Sequence, residues 1–283
     1  MMQAISIEAY AKLNLTLEIL GKRKDGYHNI ASVMQQVSLA DELTFTPLST
    51  NGKTAITGAL GVPLTKNLIY KAVQLIRIKA GITGNGLAIT LKKRIPLGAG
   101  LAGGSADAAA TLLSLNRMWK LNLPSDELMA LAKNLGADVP FHIIGKTALA
   151  QGIGERLTPL SSPKLHYIII YPDIHVSTAK AYQKIKGCSV WGKAKGMMKA
   201  LQKRDVRVIA SSLHNAFEQA IMSEYPVIHV AKDALTRAGA LGTAMSGSGS
   251  AVFGIFIDEH AQGKAYLQLK GAYRHLWKAN TRV

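Results

Sequence analysis

Apolar and polar residues alternate with period two through Leu13-Asn14-Leu15-Thr16-Leu17-Glu18-Ile19, the pattern of a half-buried strand. The polar run Gly21–Gly26 then breaks the pattern and predicts a loop or hairpin turn. From Asn67 the period lengthens. Leu68, Ala72, Leu75, Ile76 and Lys79 fall on one helical stripe that Gly81 stops. Leu87–Leu91 predicts a short strand, and Ser105–Trp119 an alanine- and leucine-rich helix. Ser125 reads as the N-cap of a second helix whose apolar face is Leu128, Leu131, Ala132 and Leu135, ended by Gly136. The glycine-, serine- and proline-rich stretch Gly152–Pro163 predicts a domain boundary, giving domains 1–155 and 156–283. Beyond it come a buried strand, Leu165–Tyr171, and a helix carrying Ile209, Leu213, Ala216, Phe217 and Ala220. A helix over Val227–Ala238, two strands flanking Ser246–Ser250 and a last helix from about His260 complete the chain. Strands and helices mix without a regular βαβ beat, which points to an α+β fold.

Composition narrows the class. With 48% hydrophobic and 18% charged residues the chain is globular rather than disordered. Its one cysteine, Cys188, excludes an internal disulfide and fits a reducing compartment. The start Met1-Met2-Gln3-Ala4-Ile5-Ser6 lacks the basic region of a signal peptide, and no window is apolar for the ~18–20 residues that a membrane span needs. A cytoplasmic protein without a membrane partner is the expectation. The net charge of +17 is unusual, and it is unevenly placed. Lys184, Lys186, Lys193, Lys195, Lys199, Lys203, Arg204 and Arg207 are opposed within their stretch by Asp205 alone. Such a run is a solvated basic face, a device for steering phosphates, or a nucleic-acid surface. No aromatic-interleaved RNA signature or helix-turn-helix pattern supports the last, so no nucleic-acid partner is expected.

The chemistry centres on Pro96-Leu97-Gly98-Ala99-Gly100-Leu101-Ala102-Gly103-Gly104-Ser105-Ala106-Asp107, which a strand enters and a helix leaves. Backbone N–H groups and the positive end of the helix dipole there suit an anion. The same sequence also suits an ordinary tight turn. Gly98, Gly100 and Gly103 satisfy the letter of the dinucleotide fingerprint, but no Asp or Glu occurs from Ala108 to Ser125 to hold a ribose. Gly52-Lys53-Thr54 and Gly145-Lys146-Thr147 resemble the end of a Walker loop, yet prolines (Pro47 and Pro140) stand where its first glycine belongs. No protein-kinase signature and no zinc pattern is present.

The loop resembles the ATP-binding motif of the GHMP kinases. Three further blocks strengthen the likeness: Ala11-Lys12-Leu13-Asn14-Leu15 followed by Asp25-Gly26-Tyr27-His28; Gly136-Ala137-Asp138-Val139-Pro140-Phe141; and Met245–Phe253 around Ser246-Gly247-Ser248-Gly249-Ser250. Together they are similar to the branch whose acceptor alcohol carries a cytidine diphosphate group. The resemblance implies a two-domain fold, with an N-terminal ATP-binding domain, a smaller C-terminal α+β domain and the active site in the cleft between. It implies an ATP-dependent phosphotransferase of isoprenoid precursor synthesis. Other members of the family, acting on mevalonate, homoserine or a sugar, share the loop but have no need of a base-stacking pair. A basic nucleic-acid-binding protein is the alternative of another class, set apart by steep salt dependence and no need of ATP.

By resemblance, Asp138 accepts the proton of the attacking hydroxyl while Lys12 keeps that carboxylate ionised and orients the nucleophile. Read alone, Lys12 is equally a solvent-facing charge and Asp138 a turn residue. Pro96 and Gly98–Ser105 cradle the ATP phosphates, with Ser105 touching phosphate or Mg²⁺ or serving as a helix N-cap. Asn67 and Lys93 match adenosine-contacting positions; alone they read as a helix cap and a surface charge. Tyr27 and His28 supply a ring and an edge contact to cytosine, Tyr182 a second stacking face, and Asn14 a hydrogen bond to the alcohol end. Gly247, Ser248 and Gly249 orient the substrate diphosphate, or form a tight hairpin. ATP and Mg²⁺ are the implied cofactors, and no protein ligand set for the metal is legible. Ala99 and Ala102 replace glycines of the fullest form of the loop, at little cost where their φ is negative.

Overall fold

The computed structural model describes residues 3–49, 52–58, 61–185, 187–189 and 191–282. Met1, Met2 and Lys186 lie outside the described residues. The chain forms two compact units. The first comprises the residues up to Ala11, Ala40–Ile95 and Ala102–Ile144; the second comprises Lys12–Leu39, Pro96–Leu101 and everything from Gly145. Two long strands, β1 (Ile5–Lys22) and β2 (His28–Leu48), contribute residues to both.

In the first unit β3 (Thr54–Thr57) runs parallel to β4 (Gly86–Lys92), which pairs antiparallel with Glu42–Leu48 of β2. Helices α1 (Leu68–Ala80), α2 (Gly103–Met118), α3 (Ser125–Lys133) and α4 (Val139–Ile144) supply the rest. The core joins Leu43, Phe45, Leu87 and Ile89 of the strands to Ile69, Val73, Ile76, Leu112 and Leu115 of the helices. The buried stripe of α1 is Ile69, Ala72, Val73 and Ile76, one residue round from the expected Leu68 and Leu75. Asn67 caps α1, its side chain accepting from Ile69 N at 2.8 Å, and Gly81 closes it in the left-handed conformation. Helix α2 starts two residues before the expected Ser105. Pro124, not Ser125, is the N-cap of α3, and its side chain makes no cap hydrogen bond.

The second unit contains β5 (Thr147–Gly152), β6 (Arg156–Leu160), β7 (His166–Tyr171), α5 (Thr178–Gln183), α6 (Lys193–Lys203) and α7 (Val206–Ser211). It continues with β8 (His214–Asn215), α8 (Glu218–Glu224), α9 (Pro226–Arg237), β9 (Gly242–Met245), β10 (Val252–Phe256), α10 (Glu259–Leu269) and β11 (His275–Asn280). The stretch from Gly152 to Leu160 is a hairpin, β5 pairing antiparallel with β6 and, on its other side, with Ile30–Gln35 of β2. A four-stranded sheet runs in the order β11-β7-β10-β9, all pairs antiparallel. Its inner residues Ile168, Ile170, Val252 and Phe256 pack on Ile221, Ile228 and Leu235 of α8 and α9.

The helix expected over 209–220 is interrupted. Thr16 and Leu17 of β1 pair with His214 and Asn215, and Ala216 N donates to Leu17 O at 2.9 Å, so these backbone groups are spent on a strand. Asn215 fixes the break. Its Oδ1 accepts from Phe217 N (2.8 Å) while Nδ2 donates to Met245 O (2.7 Å) and Gly247 O (2.8 Å), a local bonding pattern that competes with helix.

Candidate active site

The second unit gathers most of the residues expected to meet the acceptor around the inner part of β1. Lys12 and Asn14 are both buried, and the Lys12 ammonium donates to Asn14 Oδ1. Asn14 Nδ2 donates to Ser32 Oγ at 2.7 Å, and the Ser32 hydroxyl donates to Thr16 O at 2.6 Å. The entry half of the glycine loop, Pro96–Leu101, is bonded on two sides. Lys12 N donates to Leu101 O at 3.1 Å; Ser246 Oγ donates to Gly100 O at 2.9 Å, and Ala251 N to Ala99 O at 3.0 Å. Asn14 N donates to Ser246 Oγ at 3.3 Å. Gly100 is required by close approach: a Cβ there would stand 2.0 Å from Ser246 O. A Cβ on Gly247 would lie 3.5 Å from Lys12 Nζ, so the Ser246–Ser250 turn borders the lysine. Thr178 and Ser248 share a hydroxyl hydrogen bond of 2.9 Å.

An aromatic wall stands in the same unit. His28 stacks on Tyr182 with centroids 4.9 Å apart and planes at 20°, and Phe217 meets Tyr182 edge-on at 4.9 Å. Tyr27 is 61% exposed, leaving its ring open to a ligand. Its turn is held by Asp25, which accepts from Tyr27 N at 3.1 Å and pairs with Arg23 at 2.8 Å.

The first unit holds the exit half of the loop. Ala102 turns in the left-handed region (φ 55°) as the N-cap of α2, and no side chain caps that end of the 16-residue helix. The N–H groups of its first turn and the helix dipole therefore suit an anion. Ser105 is inside the first turn rather than at the cap. Lys93 is nearly buried, its ammonium 2.5 Å from Asp41 Oδ2 and 2.7 Å from Asp107 Oδ2. Burial pushes the Asp107 carboxyl up to about 7; the Lys93 ammonium opposes that shift and the Asp41 charge adds to it. Asp138 is half-buried at the entry to α4. Among the described residues no group of three or more His, Cys, Asp and Glu side chains could hold a metal.

The family described as "GHMP kinases N terminal domain" matches residues 67–146, and "GHMP kinases C terminal" matches 197–275. A 4-diphosphocytidyl-2-C-methyl-D-erythritol kinase of Pelotomaculum thermopropionicum is 46% identical over 258 residues, 90% of each chain. One of Caldicellulosiruptor saccharolyticus is 42% identical over 268 residues, 93% of this chain and 92% of the relative. The chain belongs to the GHMP kinases. A crystal structure of 4-(cytidine 5'-diphospho)-2C-methyl-D-erythritol kinase superposes with a TM-score of 0.87 at 33% identity, covering 99% of this chain and 100% of that one. The homoserine kinase of Cytophaga hutchinsonii superposes at 0.79 with 22% identity, covering 100% of this chain and 96% of that one, a likeness of fold alone.

As a GHMP kinase the chain is an ATP-dependent small-molecule kinase with mixed helix and sheet content. Within the second unit its fold brings together Lys12, Asn14, Pro96–Leu101 and Gly247–Gly249, along with a wall of His28 and Tyr182. Asn67, Lys93, Gly103–Ser105 and Asp138 belong to the first unit. Reading the sequence assigned no role to Ser32, Thr178 and Ser246, whose hydroxyls tie the elements together, or to the acids Asp41 and Asp107, although Ser246 and Asp107 lie inside its motifs. Asp107 left a signal: it stands alone in an otherwise alanine- and leucine-rich stretch, where an unpaired charge would be costly, whereas Asp41 sits beside Glu42 and does not stand out. Small hydroxyl residues left none. No helix among the described residues is long and apolar enough to cross a membrane.

Proposed function

We propose that this chain transfers the γ-phosphoryl group of ATP to the 2-hydroxyl of 4-diphosphocytidyl-2-C-methyl-D-erythritol, a cytoplasmic step of non-mevalonate isoprenoid precursor synthesis. The observation that carries the reading is the 42% identity over 93% of the chain to a curated kinase of that name. The site residues support it. Asp138 accepts the hydroxyl proton and Lys12 orients the nucleophile. The loose transition state of phosphoryl transfer needs little proton removal until late, so most of the rate comes from positioning and charge stabilisation. Gly98–Ser105 supply N–H donors to the phosphates, and Mg²⁺ held through those phosphates would supply neutralisation of the charge that develops in transfer. Tyr27 and the His28–Tyr182 wall take the cytosine, Asn14 the alcohol end, and Gly247–Gly249 the diphosphate. Asn67 borders the adenosine.

The test is ADP release coupled to NADH oxidation, with ATP, Mg²⁺ and the diphosphocytidyl alcohol, for wild type and Asp138→Ala. Acceptor-dependent turnover by wild type, reduced at least ~10²-fold in the variant, is the expected outcome. A variant with wild-type turnover would remove Asp138 as the base. A wild type that neither turns over nor binds cytidine diphosphate would defeat the assignment of the acceptor.

A further inference from the structure

A buried cluster of charges brackets the glycine loop, and the proposed chemistry does not use it. Asp41 lies in β2 and is fully buried. Its Oδ1 accepts from Arg94 N at 2.6 Å and Ile95 N at 2.8 Å, the two residues that lead directly into Pro96. Its Oδ2 receives the Lys93 ammonium at 2.5 Å, and the same ammonium reaches Asp107 Oδ2 at 2.7 Å in the second turn of α2. Lys93 also lies directly beneath the start of that helix. A Cβ on Gly103 would come within 2.9 Å of its Nζ and 2.8 Å of Ile95 Cγ2. Residues 93–95 on the way into the loop and 103–107 on the way out are thus tied to one nearly buried lysine. All of them belong to the first unit.

Such a cluster is an expensive way to stabilise a fold, since apolar residues of similar volume commonly do as well as a buried ion pair. Asp107 makes this plain. Its Oδ1 is buried with no hydrogen-bond partner, and burial raises its affinity for a proton. What ions do and apolar side chains do not is fix direction and separation: Lys93 reaches its two carboxylates along set lines, and Asp41 holds two consecutive N–H groups at once.

We infer that Asp41, Lys93 and Asp107 form a clamp that sets the spacing of the two ends of the glycine loop and thereby its affinity for nucleotide phosphates. Lys93 is then a positioning residue whose ammonium is committed inside the protein, with Asp41 and Asp107 as its counter-groups. The inference rests on the nucleotide reading of the loop, though not on the identity of the acceptor alcohol.

The test compares wild type with Asp107→Asn at pH 8, where the native carboxylate is mainly ionised. Binding of a non-hydrolysable ATP analogue and of cytidine diphosphate is measured separately by calorimetry, alongside thermal unfolding. The amide keeps the shape and removes the buried charge, so the melting temperature is expected to hold or rise. Analogue affinity is expected to fall about tenfold, the scale of weakening one hydrogen bond to a charged phosphate, with cytidine diphosphate affinity unchanged within about twofold. Asp41→Asn, which retains one acceptor for the Arg94 and Ile95 N–H groups, is the second variant and should act in the same direction. Unchanged analogue affinity in both variants overturns the clamp. So does a loss of both ligands in step with a lowered melting temperature, or a failure of both variants to fold, since each marks a merely structural role. Wild type that binds no analogue overturns the nucleotide reading itself. Wild type that binds analogue but not cytidine diphosphate overturns the acceptor alone, and the analogue affinities still decide the clamp.

Discussion

Ala102 turns the chain from the glycine loop into α2 with φ 55° and ψ 32°, a conformation that costs an L-residue about 1–2 kcal/mol. Its neighbour in the motif, Ala99, is not among the residues with positive φ, and its methyl is buried. The two alanines therefore differ: Ala99 fits its place, whereas Ala102 is strained. Glycine at 102 relieves that strain but adds unfolded-state freedom worth roughly 0.5–1 kcal/mol. Ala102→Gly should accordingly stabilise the protein by about 0.5–1 kcal/mol, a rise of ~1–4 °C in melting temperature. Differential scanning calorimetry checks this, and a lowered melting temperature would mean that contacts of the Ala102 methyl outweigh the strain.

At the scale of elements, Glu18 shows how far an alternating pattern can be read. Period two along β1 separates two faces correctly, but the polar face is not solvated: Asn14, Thr16 and Glu18 are as buried as the leucines between them. Periodicity reports which residues share a face and says nothing of what covers it. Here the polar face is covered by chain far away in sequence, Ser246 on Asn14 (232 residues apart) and the start of α6 on Glu18 (174–176 apart). The Glu18 carboxylate accepts from Gly192 N (2.9 Å), Lys193 N (3.0 Å) and Ala194 N (2.8 Å), capping a helix whose own N-cap residue has no side chain to do so. Gln at this position keeps one acceptor oxygen and turns an NH₂ toward the same donors, leaving at least one buried N–H unsatisfied. Glu18→Gln should cost about 1–3 kcal/mol, lowering the melting temperature by several degrees and speeding hydrogen exchange at residues 192–194. Wild-type exchange at those amides would show that the cap contributes nothing. The same limit of local reading explains β8, where a helical pattern over 209–220 yields to pairing with β1. By contrast, β4 and β7 were legible because they are short apolar runs with clear ends.

For the whole molecule, the motif blocks were legible because each is contiguous, but the grouping of the chain was not. Residues 12–39 and 96–101 fold with everything after Gly145, and a boundary sought in one glycine- and proline-rich stretch can describe only contiguous pieces. The net charge of +17 is likewise a property of the whole chain. Lys195, Lys199 and Lys203 form an exposed i, i+4, i+8 stripe on α6, and Trp191 lies under the Lys195 ammonium at 4.1 Å, so this charge is displayed to solvent. Both proposed substrates are polyanions. A positive field raises their encounter rate, and salt erases that effect because the Debye length falls from ~30 Å at 0.01 M to ~3 Å at 1 M. Raising NaCl from about 0.02 M to 0.5 M should therefore lower kcat/KM for both substrates about tenfold while kcat stays within about twofold. Reversing Lys195, Lys199 and Lys203 to Glu removes two units of charge at each position, taking the net charge from +17 to about +11. If the field acts as a whole, this variant loses part of kcat/KM at low salt and converges with wild type at 0.5 M. If α6 instead binds substrate directly, the deficit persists at high salt. A kcat/KM independent of salt in wild type would show that the excess charge plays no part in substrate capture.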